Sequence, residues 1–145
     1  MRITNRHANT YKVEEKIEAG IALLGSEVKA LRLGHADISS SYVRITGSEA
    51  YLINTKIFPY KFSRAEGYQE TRSRKLLLHR KEILALKSKM DQGKYTMIPL
   101  SIYLKDDNFK VEIALALSKN KKERHQDERK KAIDRDQERE IKNIV

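Results

Sequence analysis

The sequence predicts a mainly β protein with two short α-helices, built as a small, partly open barrel with a C-terminal tail. Three observations lead there. Apolar and polar residues alternate in several short segments of the 145-residue chain. Turn-forming residues divide those segments into pairs. Only two segments carry helical spacing, and a glycine closes each of them. Several short strands with two short helices suggest an open barrel of the oligonucleotide-binding type.

Along the chain, residues 1–10 read as a short polar arm of a body that spans 1–117. If the segment around Glu14–Glu18 is a strand, Glu14 and Glu15 point to opposite faces. Ser26 to Leu33 reads as a helix, with Val28 and Leu31 on one stripe, Ser26 as N-cap and Gly34 as the stop. Tyr42–Ile45 and Ala50–Ile53 flank Thr46-Gly47-Ser48-Glu49 and predict a hairpin. His79 to Gln92 reads as the second helix, with Ile83, Leu86 and Met90 aligned and Gly93 at its end. Lys94 to Lys105 alternates throughout, with Tyr95, Met97, Pro99, Ser101 and Tyr103 sharing one face. Lys110 to Leu117 follows after the turn signal Asp106-Asp107-Asn108, with Val111, Ile113, Leu115 and Leu117 inward. Pro99 implies an edge or a bulge in its strand.

The chain carries 30 Lys+Arg against 20 Asp+Glu, a formal net charge of +10. Residues 118–145 contain ten of the basic and seven of the acidic residues, so the body alone keeps +7. That excess favours a polyanionic partner, and nucleic acid fits better than a membrane surface. Arginines at alternate positions suit phosphates and guanine edges, whereas membrane binding calls for an amphipathic helix with bulky apolar residues. No apolar run approaches the ~20 residues of a bilayer-spanning helix, and the N-terminus lacks the apolar core of a secretory signal. The absence of cysteine removes disulfides, thiol nucleophiles and thiolate metal sites, and fits a reducing, cytoplasmic setting. The tail offers little beyond Ala132, Ile133, Ile141, Ile144 and Val145 as apolar surface. It is expected to be disordered when free, yet its composition can form a helix on a partner.

The densest basic cluster is Thr71 to Lys81, with five Lys/Arg, one His and no acid. It reads either as a phosphate-neutralising segment anchored by Leu76–Leu78 or as a solvated loop entering a helix. Lys29 and Arg32 lie three apart on the first helix and project together. Tyr95, Tyr103 and Phe109 are candidates for stacking on unpaired bases, though most tyrosines on barrel strands are packing residues. Catalytic patterns are missing. His7, His35, His79 and His125 are scattered, no Gly-rich phosphate loop occurs, and Ser26 does not sit in a nucleophile elbow. No cofactor, metal or catalytic residue is therefore assigned, and the protein reads as a non-enzyme.

Asn5-Arg6-His7-Ala8 and the run from Glu18 to Arg32, which includes Gly25-Ser26-Glu27-Val28-Lys29-Ala30-Leu31, resemble the opening of the SsrA-binding protein family, also called small protein B. The similarity continues through Ser41–Ile45, Arg72–Ile83, Pro99-Leu100, Tyr103–Lys105 and Lys110–Glu112, covering about residues 5 to 122. It implies an oligonucleotide-binding-like barrel with flanking helices. It also implies binding to the tRNA-like domain of transfer-messenger RNA, which the protein escorts, charged with alanine and with elongation factor Tu, to stalled ribosomes. The motif positions that contact RNA in the family match Asn5, Glu18, Leu77 and His79. A carboxylate at Glu18 can accept from a ribose 2′-OH or a guanine edge. With the basic residues around them, the candidate RNA-binding set is Asn5, Arg6, Glu18, Lys29, Arg32, Arg72, Arg74, Lys75, Leu77 and His79.

In the family the tail becomes helical on the ribosome and occupies the empty message channel of the small subunit beyond the decoding centre. The candidate ribosome contacts in the tail here are its basic residues Lys119, Lys121, Lys122, Arg124, Arg129, Lys130 and Lys131. Asn120 stands where relatives have glycine, and Glu123 to Arg129 departs from their Asp-Lys-Arg run. A monomer is expected. Two alternatives stay open: a general RNA-binding or ribosome-associated barrel without a rescue role, and a metal-dependent nuclease using the acids near Glu14 to Glu18.

Overall fold

Two tight turns set the frame. Lys105 and Asn108 face each other across Asp106 and Asp107, whose φ values of 51° and 63° are those of a type I′ hairpin turn. Thr46 and Glu49 close the other hairpin over Gly47, whose φ of 61° suits the first central position of a type II′ turn. The computed structural model describes residues 2–60 and 68–118. Its strands are β1 (Arg2–Thr4), β2 (Tyr11–Ile21), β3 (Ala36–Asp37), β4 (Tyr42–Thr46), β5 (Glu49–Ile53), β6 (Lys56–Ile57), β7 (Arg74–Leu77), β8 (Tyr95–Lys105) and β9 (Asn108–Ser118). The helices are α1 (Gly25–Arg32) and α2 (Arg80–Met90), with a single 3-10 turn at Ala8–Thr10.

Seven strands form one antiparallel sheet in the order β1-β8-β9-β2-β7-β5-β4, and β3 pairs with β6 apart from it. The sheet curls until β4 lies against β8 without pairing to it, which makes a partly open barrel. Its interior is filled by Ala19, Val43, Leu52, Leu76, Met97, Ile102, Val111, Ile113 and Leu115, and by Ala30 and Leu31 of α1 and Leu86 of α2. Leu52 has no exposed surface. Leu52→Ala should cost about 3 kcal/mol through lost transfer energy and a residual cavity. The check is a lower denaturation midpoint at unchanged m-value.

Both helix stops fall as the sequence indicates, because Gly34 and Gly93 take φ of 74° and 79° just past the helix ends. The start of α1 differs. Ser26 lies inside the helix, Leu24 is the N-cap, and the Glu27 carboxylate accepts the Leu24 N–H at 2.8 Å. A reaching-back acid at the third helical position has replaced the hydroxyl cap.

Strict alternation also fails in β8. Pro99 faces Ile113 and Ser101 faces Glu112, so Leu100 is an extra residue between them. Because a bulge resets the pleat, Met97 and Ile102 both enter the core, although simple alternation puts them on opposite faces. Ala114 and Ala116, expected outward, are fully buried in β9, the strand between β2 and β8. Residues 74–77, taken as part of a basic loop, are a strand paired on both sides. Only alternate side chains of that strand face water.

Candidate nucleic-acid interface

The outer face of the sheet gathers residues far apart in sequence. Register places Arg2 opposite Tyr103, Tyr103 opposite Lys110, Lys110 opposite Gly20, and Gly20 opposite Leu77. One row thus crosses five strands. Glu18 stands two residues before Gly20 on the same face, directly opposite Glu112. Continuing the β2–β7 register sets His79 level with Glu18, just past the end of β7.

Gly20 leaves the space that Leu77 uses. A Cβ added there would lie 3.2 Å from the Leu77 Cβ, tighter than ordinary contact. The Leu77 side chain, 56% exposed, forms a ridge between two shallow depressions. One is lined by Lys75, His79, Arg80 and Glu49, the other by Leu23, Val28, Phe109 and Lys110. An exposed leucine between cationic side chains offers both an apolar contact and phosphate neutralisation. His79 is the N-cap of α2, where its backbone N–H donates to Glu82 at 3.0 Å and its ring makes no capping bond.

Glu18 is held from β8. The Tyr103 hydroxyl donates to one carboxylate oxygen, and Lys105 lies 3.3 Å from the other. The Tyr103 bond, working against slight desolvation and aided by Lys105 and Lys110, keeps the Glu18 carboxyl below its ordinary pKa. Burial and the same carboxylate push Tyr103 up to about 12, so its hydroxyl stays protonated. Arg2 stacks on the Tyr103 ring at 4.5 Å. Arg2 thus covers one face of that ring while the hydroxyl holds Glu18.

Other predicted residues fall elsewhere. Lys29 and Arg32 are exposed on α1, with the Lys29 ammonium 5.4 Å from the centre of the Tyr60 ring. Lys75 is exposed, 3.5 Å from Glu49. Arg6 is exposed on the arm, pairing with Asp37 at 3.2 Å and with Ser39. Asn5 is buried, donating to the Pro99 carbonyl at 2.8 Å and accepting the His7 N–H at 2.8 Å. Its amide shapes the arm, and the residue borders a depression shared with His7, Tyr11 and Ser39.

Arg74 lies inside the barrel wall. It has no exposed surface and bonds Glu27, also fully buried, at 2.6 Å. Arg72 reaches the other oxygen of Glu27 at 2.6 Å with its side chain two-thirds buried. Alternation in β7 turns Arg74 inward with Leu76, and Glu27 holds both guanidiniums, one on each carboxylate oxygen. Conversely, Arg2, Lys105 and Lys110 lie at the interface and were not singled out. Lys110 and Tyr103 carried the outward phase of their strands, but the register that makes them neighbours is a tertiary property.

Among the described residues no three His, Asp or Glu side chains converge as a metal site, and Glu15 pairs with Lys89. No helix among them is long and apolar enough to cross a membrane. Lys119, Lys121, Lys122, Arg124, Arg129, Lys130 and Lys131 lie outside the described residues.

The family described as SmpB protein matches residues 2–143 of the chain. The chain is 46% identical over 143 residues to the SsrA-binding protein of Sulfurihydrogenibium sp. (strain YO3AOP1), covering 98% of this chain and 94% of that protein. It is 46% identical over 136 residues to the SsrA-binding protein of Aquifex aeolicus (strain VF5), covering 93% and 87%. Among solved structures it is similar to a chain described under "tmRNA-SmpB: a journey to the center of the bacterial ribosome". The TM-score is 0.70 at 40% identity, over 83% of this chain and 85% of that one.

Proposed function

The chain belongs to the SmpB family of SsrA-binding proteins, and from that premise we propose that it binds the tRNA-like domain of transfer-messenger RNA and brings that RNA to stalled ribosomes for trans-translation. The observation that carries this reading is the similarity over nearly the whole chain to proteins that bear that name, at 40% identity to one solved as tmRNA-SmpB. The row from Arg2 to Leu77 supplies a surface of suitable chemistry. Lys75, Lys105, Lys110 and Arg2 neutralise phosphates, Leu77 gives an apolar contact, and Glu18 and His79 read donors and acceptors. Lys29, Arg32 and Arg6 extend the basic surface, while Asn5, Arg72 and Arg74 support it from within.

In this reading the protein acts by binding, without catalysis or cofactor, in the cytoplasm where ribosomes work, and as a monomer. Residues 1–117, or 1–118 with the last residue of β9, form the RNA-binding body. The remaining tail enters the empty message channel of the small subunit. Alanine-charged RNA with elongation factor Tu completes the delivered complex.

The test compares the tRNA-like domain of the cognate transfer-messenger RNA with ordinary tRNA across a salt series. A basic surface binds any RNA at low salt, so the ratio at physiological salt is decisive. The expected result is a preference of at least about tenfold, equivalent to ~1.4 kcal/mol, that persists as salt rises. Equal affinities that vanish together with salt would leave only a general RNA-binding barrel.

A further inference from the structure

The sheet keeps two carboxylates, Glu18 and Glu112, directly opposite each other on its exposed face. Like charges in that position destabilise a strand pair, and either side chain left to itself would swing away from the other. Glu18 does not swing freely, because Tyr103 reaches diagonally over β9 to it from β8. Tyr103 is itself fixed. Its strand is paired on both sides, and Arg2 lies on its ring while donating to Ser101 at 3.2 Å. Lys105 adds a second, longer bond to the other oxygen. An ionised carboxylate has about four acceptor positions, so the Tyr103 bond and the two long Lys105 contacts, one to each oxygen, still leave Glu18 able to accept from a ligand.

We propose that Tyr103 is a positioning residue for RNA recognition: its hydroxyl, steadied by Arg2, aims the Glu18 carboxylate outward at donors on the bound RNA. The inference rests on the reading of Glu18 as an RNA contact and adds what makes that contact selective. A carboxylate repels phosphates, so it helps binding only where a donor meets it at a set place. A fixed Glu18 accepts from a correctly placed 2′-OH or base amino group and opposes RNAs that present a phosphate there. Tyr103 therefore governs preference more than overall attraction, which the surrounding cations supply.

The experiment is a double-mutant cycle of Tyr103→Phe and Glu18→Gln, read as affinity for the tRNA-like domain and for ordinary tRNA at physiological salt. Phenylalanine keeps the ring under Arg2 and removes only the hydroxyl, and thermal unfolding of each variant confirms that the barrel is intact. Each single variant should weaken binding to the tRNA-like domain by roughly five- to tenfold, the size of one net hydrogen bond, with ordinary tRNA bound no more weakly than before. The double variant should be no weaker than Glu18→Gln, because the hydroxyl works only through the carboxylate. Losses that multiply, or a Tyr103→Phe protein with unaltered preference, would overturn the inference while leaving Glu18 as a contact. A Glu18→Gln protein with unaltered preference would overturn the reading of Glu18 itself, and the role of Tyr103 with it.

Discussion

Arg74→Ala should lower the unfolding free energy by about 4 kcal/mol, because it removes the buried partner of Glu27 and leaves three carbonyls without a donor. Arg74 and Glu27 are both fully buried and joined at 2.5–2.6 Å. The guanidinium also donates to the carbonyls of Thr55 at 2.7 Å, Arg72 at 2.9 Å and Glu70 at 3.0 Å. It thereby ties α1, the chain after β5 and the approach to β7 into one unit. Truncation leaves Glu27 with Arg72 alone and three carbonyls short of a donor. Lysine should recover only part of the loss, since an ammonium cannot span that fork of acceptors. Replacing both partners together, Arg74→Met with Glu27→Leu, should cost less than Arg74→Ala, because no fully buried charge then remains and the Arg72 that loses its carboxylate can reach water. Guanidinium denaturation at pH 7 checks all three variants, and a loss under about 1 kcal/mol for Arg74→Ala would refute the assignment.

The same network sets an acid limit. Burial pushes the Glu27 carboxyl up, but Arg72, the Leu24 N–H and Arg74 outweigh it and leave it below its ordinary 4.5. A depressed folded-state pKa means that the stabilisation is complete above the unfolded value. It is lost as pH falls through the lower folded value. Stability should therefore hold down to about pH 4.5 and decline below it, and the Glu27→Leu/Arg74→Met protein should lose less over that range.

Removing residues 119–145 should abolish tagging of nascent chains on stalled ribosomes while changing affinity for the tRNA-like domain by no more than about threefold at physiological salt. The cut spares Ser118, which pairs with Tyr11 at the end of β9. The tail brings ten basic and seven acidic residues, so its net contribution to phosphate neutralisation is small beside the +7 of the body. Its proposed task lies in the message channel. Binding of the truncated protein to the tRNA-like domain and tagging in a reconstituted translation system measure the two activities separately. Full tagging without the tail would defeat the assignment.

Where the backbone follows local chemistry, the sequence was sufficient. Gly34 and Gly93 end their helices because a left-handed residue there costs glycine little, and Gly47 and Asp106-Asp107 make turns for the same kind of reason. The inward phase of Val111, Ile113 and Leu115 was equally visible, since a strand repeats every two residues. Leu77 and His79 belong to motifs the sequence displays openly, and both are exposed beside each other. The charge of Arg74 hid its burial, because a guanidinium enters a core only with a partner, and that partner, Glu27, lies 47 residues away.

The amino-acid order by itself determined a β-rich barrel with two capped helices, a basic body, and the family whose motifs it carries. These follow from short-range rules: periodicity, turn chemistry and charge. Only the tertiary structure decided which cations face water. It sends Arg74 inward while Arg2, Lys105 and Lys110 join the outer row. It also decided that Tyr103 meets Glu18 across 85 residues. Both outcomes depend on strand register and on the bulge at Leu100, which shift neighbours by single residues and turn whole faces over. Pro99 marks the bulge locally, but no local pattern encodes the register of the strands around it. It is fixed when the curled sheet closes around its core.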